Sequence, residues 1–201
     1  MNLIEKIHDT YIFPRRVNIL CGKIGNLISR DAKVLDVGCG DGTIAKRLMD
    51  LRTDIQINGI DVLVRPDTLI PVVEFDGLNI PYGDKSQDFI LFVDVLHHTE
   101  NIVQILKEAS RVARKAIIIK DHLLSGVLGG RILRLMDDVG NSRYGVELPY
   151  NYLRIEEWQS SFEKAELFAD IIEKKLKLYP MPLDWVFGRS LHFIARLGIM
   201  K

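Results

Sequence analysis

Cysteine is nearly missing from this chain: Cys21 and Cys39 are the two among 201 residues, too few for a disulfide framework. Neither sign of charge prevails. The 27 Lys+Arg match the 27 Asp+Glu for a formal net charge of +0, so no broad field draws the chain toward nucleic acid or anionic lipid. No apolar run approaches the ~20 residues that span a bilayer, and no leader-like segment opens the sequence. Internal repeats and low-complexity linkers are also missing. These absences predict one cytoplasmic domain over 1–201 with a small-molecule partner, no nucleic acid and no transmembrane segment. They leave a peripheral membrane contact and the oligomeric state open.

Several catalytic patterns are absent too. There is no Gly-x-Ser-x-Gly elbow, no H-E-x-x-H or other compact ligand spacing, and no Tyr-x-x-x-Lys pair. A nucleophile of the hydrolase kind is therefore not expected, and neither is a metal.

What is present is a glycine loop. The run Val34-Leu35-Asp36-Val37-Gly38-Cys39-Gly40-Asp41-Gly42-Thr43 carries an apolar strand into three alternate glycines and then a helix. Glycine lets the backbone turn sharply and lets a ligand come close, and the helix start directs unpaired N–H groups to the same place. Dinucleotide loops read G-x-G-x-x-G; here the spacing is G-x-G-x-G with Asp41 inside it. A carboxylate there repels a pyrophosphate and suits a ligand bearing an ammonium or hydroxyls, and Asp36 adds to that charge. A second strand over 56–60 ends in Asp61, about 20 positions beyond the loop, where an acidic residue suits a ribose diol.

The remaining runs alternate short strands (33–37, 56–60, 72–75, 89–93, 116–120) with helices (17–28, 43–51, 101–113). Continuous apolar stretches such as Ile90-Leu91-Phe92-Val93 predict strands covered on both faces, hence an α/β fold on a doubly wound, mostly parallel sheet. Ligands of such sheets lie outside the carboxyl ends of the strands.

At these residues the chain resembles the class I S-adenosylmethionine-dependent methyltransferases. The likeness continues through Glu74-Phe75-Asp76-Gly77-Leu78 and through Phe89-Ile90-Leu91-Phe92-Val93-Asp94-Val95-Leu96-His97-His98, the latter closest to the quinone and lipid branch. It is strong over about 30–120 and looser elsewhere. The resemblance implies S-adenosylmethionine as cofactor and a Rossmann-like sheet of seven strands closed by an antiparallel C-terminal pair, here expected at 175–178 and 191–195. It assigns Asp36, Gly38, Cys39, Gly40 and Gly42 to the methionine end and Asp61 with Val62 to the ribose and adenine. Asp76 with Gly77 goes to the adenine amino group, and Val93 with Asp94 to the wall near the sulfonium. Two departures concern loop geometry: no Pro-Gly-Gly turn precedes Ala116, and Ala165-Glu166-Leu167 replaces the family's Ala-Gly-Phe.

Methyl transfer asks the protein chiefly for proximity and alignment, and a hydroxyl acceptor also needs its proton removed. His97 and His98, past the fourth strand, and His122, past the fifth, are the candidate bases. Residues 1–30 are expected to form an N-terminal helical cover and 121–153 a lid. The lid's apolar stripe is Val127, Leu128, Ile132, Leu135, Met136 and Val139, with Asp137 and Asp138 on the polar side. Tyr11, Tyr144, Tyr150 and Asn151 are candidate acceptor contacts, whereas Arg15 and Arg16 read as solvated. The function expected is methyl transfer to oxygen, nitrogen or carbon of a small, lipid- or sugar-linked molecule. The rivals are an inactive methyltransferase-like binding subunit and an NAD(P)-dependent reductase.

Overall fold

The computed structural model describes residues 8–141, 150–188 and 190–200. A π-helical turn over His8–Ile12 leads into α1 (Phe13–Gly25), whose Pro14 stands in the first turn, where its missing N–H costs nothing. Strand β1 (Lys33–Val37) is followed by α2 (Thr43–Leu51), β2 (Gln56–Asp61), β3 (Val72–Glu74) and β4 (Gln87–Val93). Then come α3 (Ile102–Val112), β5 (Ala113–His122), α4 (Gly129–Asn141), α5 (Ile155–Lys164), β6 (Leu167–Glu173) and β7 (His192–Ile199).

The seven strands lie in the order β3-β2-β1-β4-β5-β7-β6, with β7 antiparallel to both its neighbours. Strand order reverses between β1 and β4, which pair in parallel, so the crevice expected of a doubly wound sheet opens above their carboxyl ends. The sheet carries a core on each face because successive side chains alternate. Ile90, Phe92, Ile117 and Ile119 pack with Leu106 of α3 and with Trp158 and Phe162 of α5. Phe89, Leu91 and Ile118 pack instead with Ile24 of α1 and Leu48 of α2.

Two expectations are corrected here. The antiparallel hairpin at the sheet's end is Leu167–Glu173 with His192–Ile199, and residues 175–178 are not a strand. Glu166 turns with φ 57° directly after α5, so the chain enters the sheet at Leu167, while Leu176 and Leu178 are buried against the α1 side. Helix α4 is also rotated from its expected orientation. Leu133 and Asp137 are buried, whereas Leu128 and Leu135 are exposed. Among the described residues no helix is long and apolar enough to cross a membrane.

Candidate functional site

The glycine loop hangs from the second strand. Gly38 and Cys39 both donate their amides to Ile60 O, at 2.8 and 3.3 Å, continuing the β1–β2 ladder past Val37. Gly38 adopts φ 72°, and a Cβ on it would stand 2.6 Å from Val95 Cγ2, so only glycine fits. The Gly40 amide then donates to Asp61 Oδ2 at 2.7 Å, and the Leu63 amide donates to Asp61 Oδ1 at 3.0 Å. Asp41 accepts from the Thr43 amide (2.9 Å) and hydroxyl (2.8 Å), occupying the helix start that a pyrophosphate would use. It also lies 3.8 Å from the Arg65 guanidinium.

Above this loop opens a cleft of about 820 Å3, within the size usual for small-molecule sites. Gly38, Gly40, Asp61, Val62 and Gly77 line one part of it, and Asp94, Val95, His98 and Thr99 line another. Of the residues expected to hold a cofactor, Gly38, Gly40, Asp61, Val62, Gly77 and Asp94 therefore come together.

The other expected cofactor contacts are placed elsewhere. Asp36 is 2% exposed beneath the loop; burial, and then the Asp61 charge, push its carboxyl up to about 7. Cys39 packs against Gly59, Gly42 against Ile70 and Val93 against the α1–α2 core, none of them on the cleft wall. Asp76 is exposed off the cleft wall, accepting from the Leu78 amide and from both nitrogens of Asn79 at 2.6–2.8 Å. Its neighbours Phe75 and Gly77 face the cleft in its stead.

Of the three histidines, His98 lines the cleft, while His97 and His122 are buried behind it. His97 Nδ1 lies 2.7 Å from Asp121 Oδ1, and its Nε2 lies 3.4 Å from Asp137 Oδ2. Burial alone would lower the His97 pKa; Asp121 and then Asp137 outweigh it and raise it to about 10. His97 thus holds a proton rather than taking one. Burial, and then the His97 charge, lower the pKa of His98. His122 Nδ1 is 3.8 Å from Asp94 Oδ1, and burial keeps this imidazole neutral.

The expected acceptor contacts do not line the cleft. Tyr11 is an exposed side chain, and the Tyr150 hydroxyl donates to Asp138 at 2.6 Å. Asn151 braces the histidine turn, donating its amide to His97 O and its side chain to Thr99 O, each at 3.2 Å. Tyr144 lies outside the described residues.

A buried charge network went unread in the sequence. Lys120 is fully buried and ion-paired to Asp94, whose other oxygen meets Arg16 at 3.3 Å, so Arg16 is not a solvated side chain. Burial disfavours the Asp94 anion, but Lys120 and Arg16 hold its carboxyl well below the usual carboxylate range. Asp137, which accepts from the Tyr152 hydroxyl, was also missed. The available signal was its spacing of four from the buried Leu133, which puts both on one helix face.

Comparison with known proteins agrees with this fold. Residues 35–118 match the methyltransferase domain family. The ubiquinone biosynthesis O-methyltransferase of Rickettsia bellii is 31% identical over 122 residues, 54% of this chain and 50% of that protein. The chain spans between about a fifth and a half of the length of the curated relatives it first matches. Among solved structures, a SAM-dependent methyltransferase from Aquifex aeolicus superposes with TM-score 0.64 at 17% identity, covering 98% of each chain. One from Thermotoga maritima, described as a possible histamine N-methyltransferase, gives 0.66 at 18% identity over 96% of this chain and 97% of that one.

Proposed function

From the match of residues 35–118 to the methyltransferase domain family, we propose that the chain is a class I S-adenosylmethionine-dependent methyltransferase that transfers a methyl group to a small-molecule acceptor within the cleft above β1 and β4. The observation that carries this reading is the convergence of Gly38, Gly40, Asp61 and Gly77 with Asp94 and His98 around one cavity.

The residues fit the cofactor. Gly38 lets Val95 close on the loop where a Cβ would collide with it, and the acidic groups around the loop suit an ammonium and a diol. Each Asp61 oxygen already holds one backbone amide and keeps a lone pair for a ribose hydroxyl. Val62 and Gly77 flank the place of an adenine. When bound, S-adenosylmethionine supplies an electrophilic methyl group on a sulfonium. The chain contributes alignment, which is worth most when the reacting atoms are held at contact distance. Asp94, fixed by Lys120 and Arg16, marks the sulfonium end, and His98 is the side chain that an entering acceptor meets. His97, whose ring centroid lies 3.9 Å from that of His98, acts through it, not by touching the acceptor. Asn151 ties the described chain around residues 150–154 to the histidine turn on this side.

Isothermal titration with S-adenosylhomocysteine tests the reading directly. Saturable binding at one site per chain is expected, and no binding at millimolar ligand refutes it. A methyl-transfer screen with phenolic, hydroxylic and amine acceptors then identifies the acceptor class.

A further inference from the structure

Behind the cleft wall, one ligand-capable atom from each of His97, His98 and Asp137 lies within 4.8 Å of the other two. From this geometry we propose that these three side chains bind a divalent first-row transition-metal ion of the zinc or ferrous class.

The separations match the chemistry. His97 Nε2 and Asp137 Oδ2 are 3.4 Å apart, and two ligands each ~2 Å from a tetrahedral ion are about 3.3–3.5 Å apart. Orientation is the independent sign. His97 is 1% exposed, and its buried Nε2 faces Asp137 Oδ2 at an ion-pair separation without meeting hydrogen-bond geometry. Its Nδ1 is fixed by Asp121 at 2.7 Å, the arrangement in which a carboxylate behind an imidazole presents the other nitrogen to a metal; the ion displaces the proton His97 holds at Nε2 and releases it to solvent. His98 Nδ1 is likewise buried and unpartnered. Asp137 is held in place by the Tyr152 hydroxyl, and His122 Nε2 flanks it at 4.0 Å.

Two imidazoles and one carboxylate select zinc or iron over magnesium or calcium, which prefer oxygen-rich shells. Three protein ligands leave a position open, as catalytic sites do. His98 also lines the cleft, which puts the ligand set next to the acceptor end. Such an ion favours a hydroxylic acceptor, because metal binding lowers the pKa of a bound O–H. This consequence for the acceptor rests on the methyl-transfer reading; metal binding itself does not.

The test uses the full chain, stripped with a chelator and dialysed in parallel against Zn2+ and Mg2+, with metal counted by mass spectrometry. One equivalent of zinc retained and no magnesium is expected. His98→Ala and Asp137→Asn should each lower zinc retention at least tenfold while keeping the circular dichroism spectrum, and Asp137→Asn should also keep S-adenosylhomocysteine binding. X-ray absorption of the zinc-loaded wild type covers the case in which a variant fails to fold: two imidazoles with oxygen are expected, and cysteine sulfur overturns the site. Absence of zinc from the wild type, equal zinc in folded variants, or equal retention of magnesium also overturns it. Loss of S-adenosylhomocysteine binding by the wild type would defeat the methyl-transfer reading and not this one.

Discussion

The Gly40 amide donates to the carboxylate of Asp61 at 2.7 Å, across 21 positions of sequence. The end of β2 thus shapes the loop at the end of β1, and one carboxylate both builds the cradle and faces its contents. Replacing Asp61 with alanine removes a charge-assisted acceptor from each role. Affinity for S-adenosylhomocysteine should fall by about 1–3 kcal/mol, read by calorimetry. Asp61→Asn, which keeps an acceptor oxygen, should recover part of that loss. Unchanged affinity in Asp61→Ala would remove this residue from the site.

Gly38 gives a steric test. A Cβ at this position would stand 2.6–2.7 Å from both methyl groups of Val95 while the backbone keeps φ 72°. Gly38→Ala should therefore weaken cofactor binding and lower stability by roughly 1–3 kcal/mol, the cost of overpacking together with a left-handed backbone at a non-glycine residue. Adding Val95→Ala relieves the clash but not the φ penalty, so the double variant should recover part of the stability. Full recovery would show that φ strain contributes nothing.

Asp36 predicts a pH dependence. Its carboxyl is raised from 3.8 to about 7 in the folded chain, first by burial and then by Asp61. The native state therefore holds a proton that the unfolded state has already released between those values. Stability contributed by this group is present below pH 3.8 and is lost as pH rises through about 7. Asp36→Asn removes the titration, so its advantage over wild type should grow from pH 4 to pH 8. The ceiling is about 1.4 kcal/mol per pKa unit. Urea denaturation of both proteins at pH 5 and pH 8 measures the difference, and parallel profiles would refute it.

The parts of the site that were legible in the sequence are those set by local chemistry. The alternate glycines from Gly38 to Gly42, the acid ending β2 and the continuous apolar run of β4 each announce themselves within a few residues. What stayed hidden depends on rotation or on long-range pairing. The stripe drawn through Val127, Leu128 and Leu135 placed Asp137 outside, yet α4 buries Leu133 and brings Asp137 to His97. The contact with Tyr152, 15 residues further on, is what satisfies the buried carboxylate. Strand β6 escaped notice because it lies at the sheet's edge with Phe168 and Ile171 exposed, so its alternation is weak. A motif position also cannot reveal that the Asp76 side chain accepts from its own turn.

Lys120 supplies the last prediction. It follows three isoleucines in β5, is fully buried, and reaches Asp94 across the β4–β5 pairing, where the Asp94 amide also donates to Lys120 O at 2.8 Å. Its only charge partner of opposite sign within salt-bridge distance among the described residues is Asp94, which also keeps Arg16 at 3.3 Å. Lys120→Met preserves the aliphatic volume and removes the ammonium. Breaking a buried pair usually costs about 3–5 kcal/mol because one charge is left uncompensated. Here Arg16 still compensates Asp94, so the loss should be smaller, roughly 2–3 kcal/mol. Asp94→Asn combined with Lys120→Met eliminates both charges and should be more stable than the sum of the single losses predicts. Chemical denaturation of the four proteins closes the cycle. Strict additivity would mean that the pair carries no coupling and that Lys120 is buried for a reason other than Asp94.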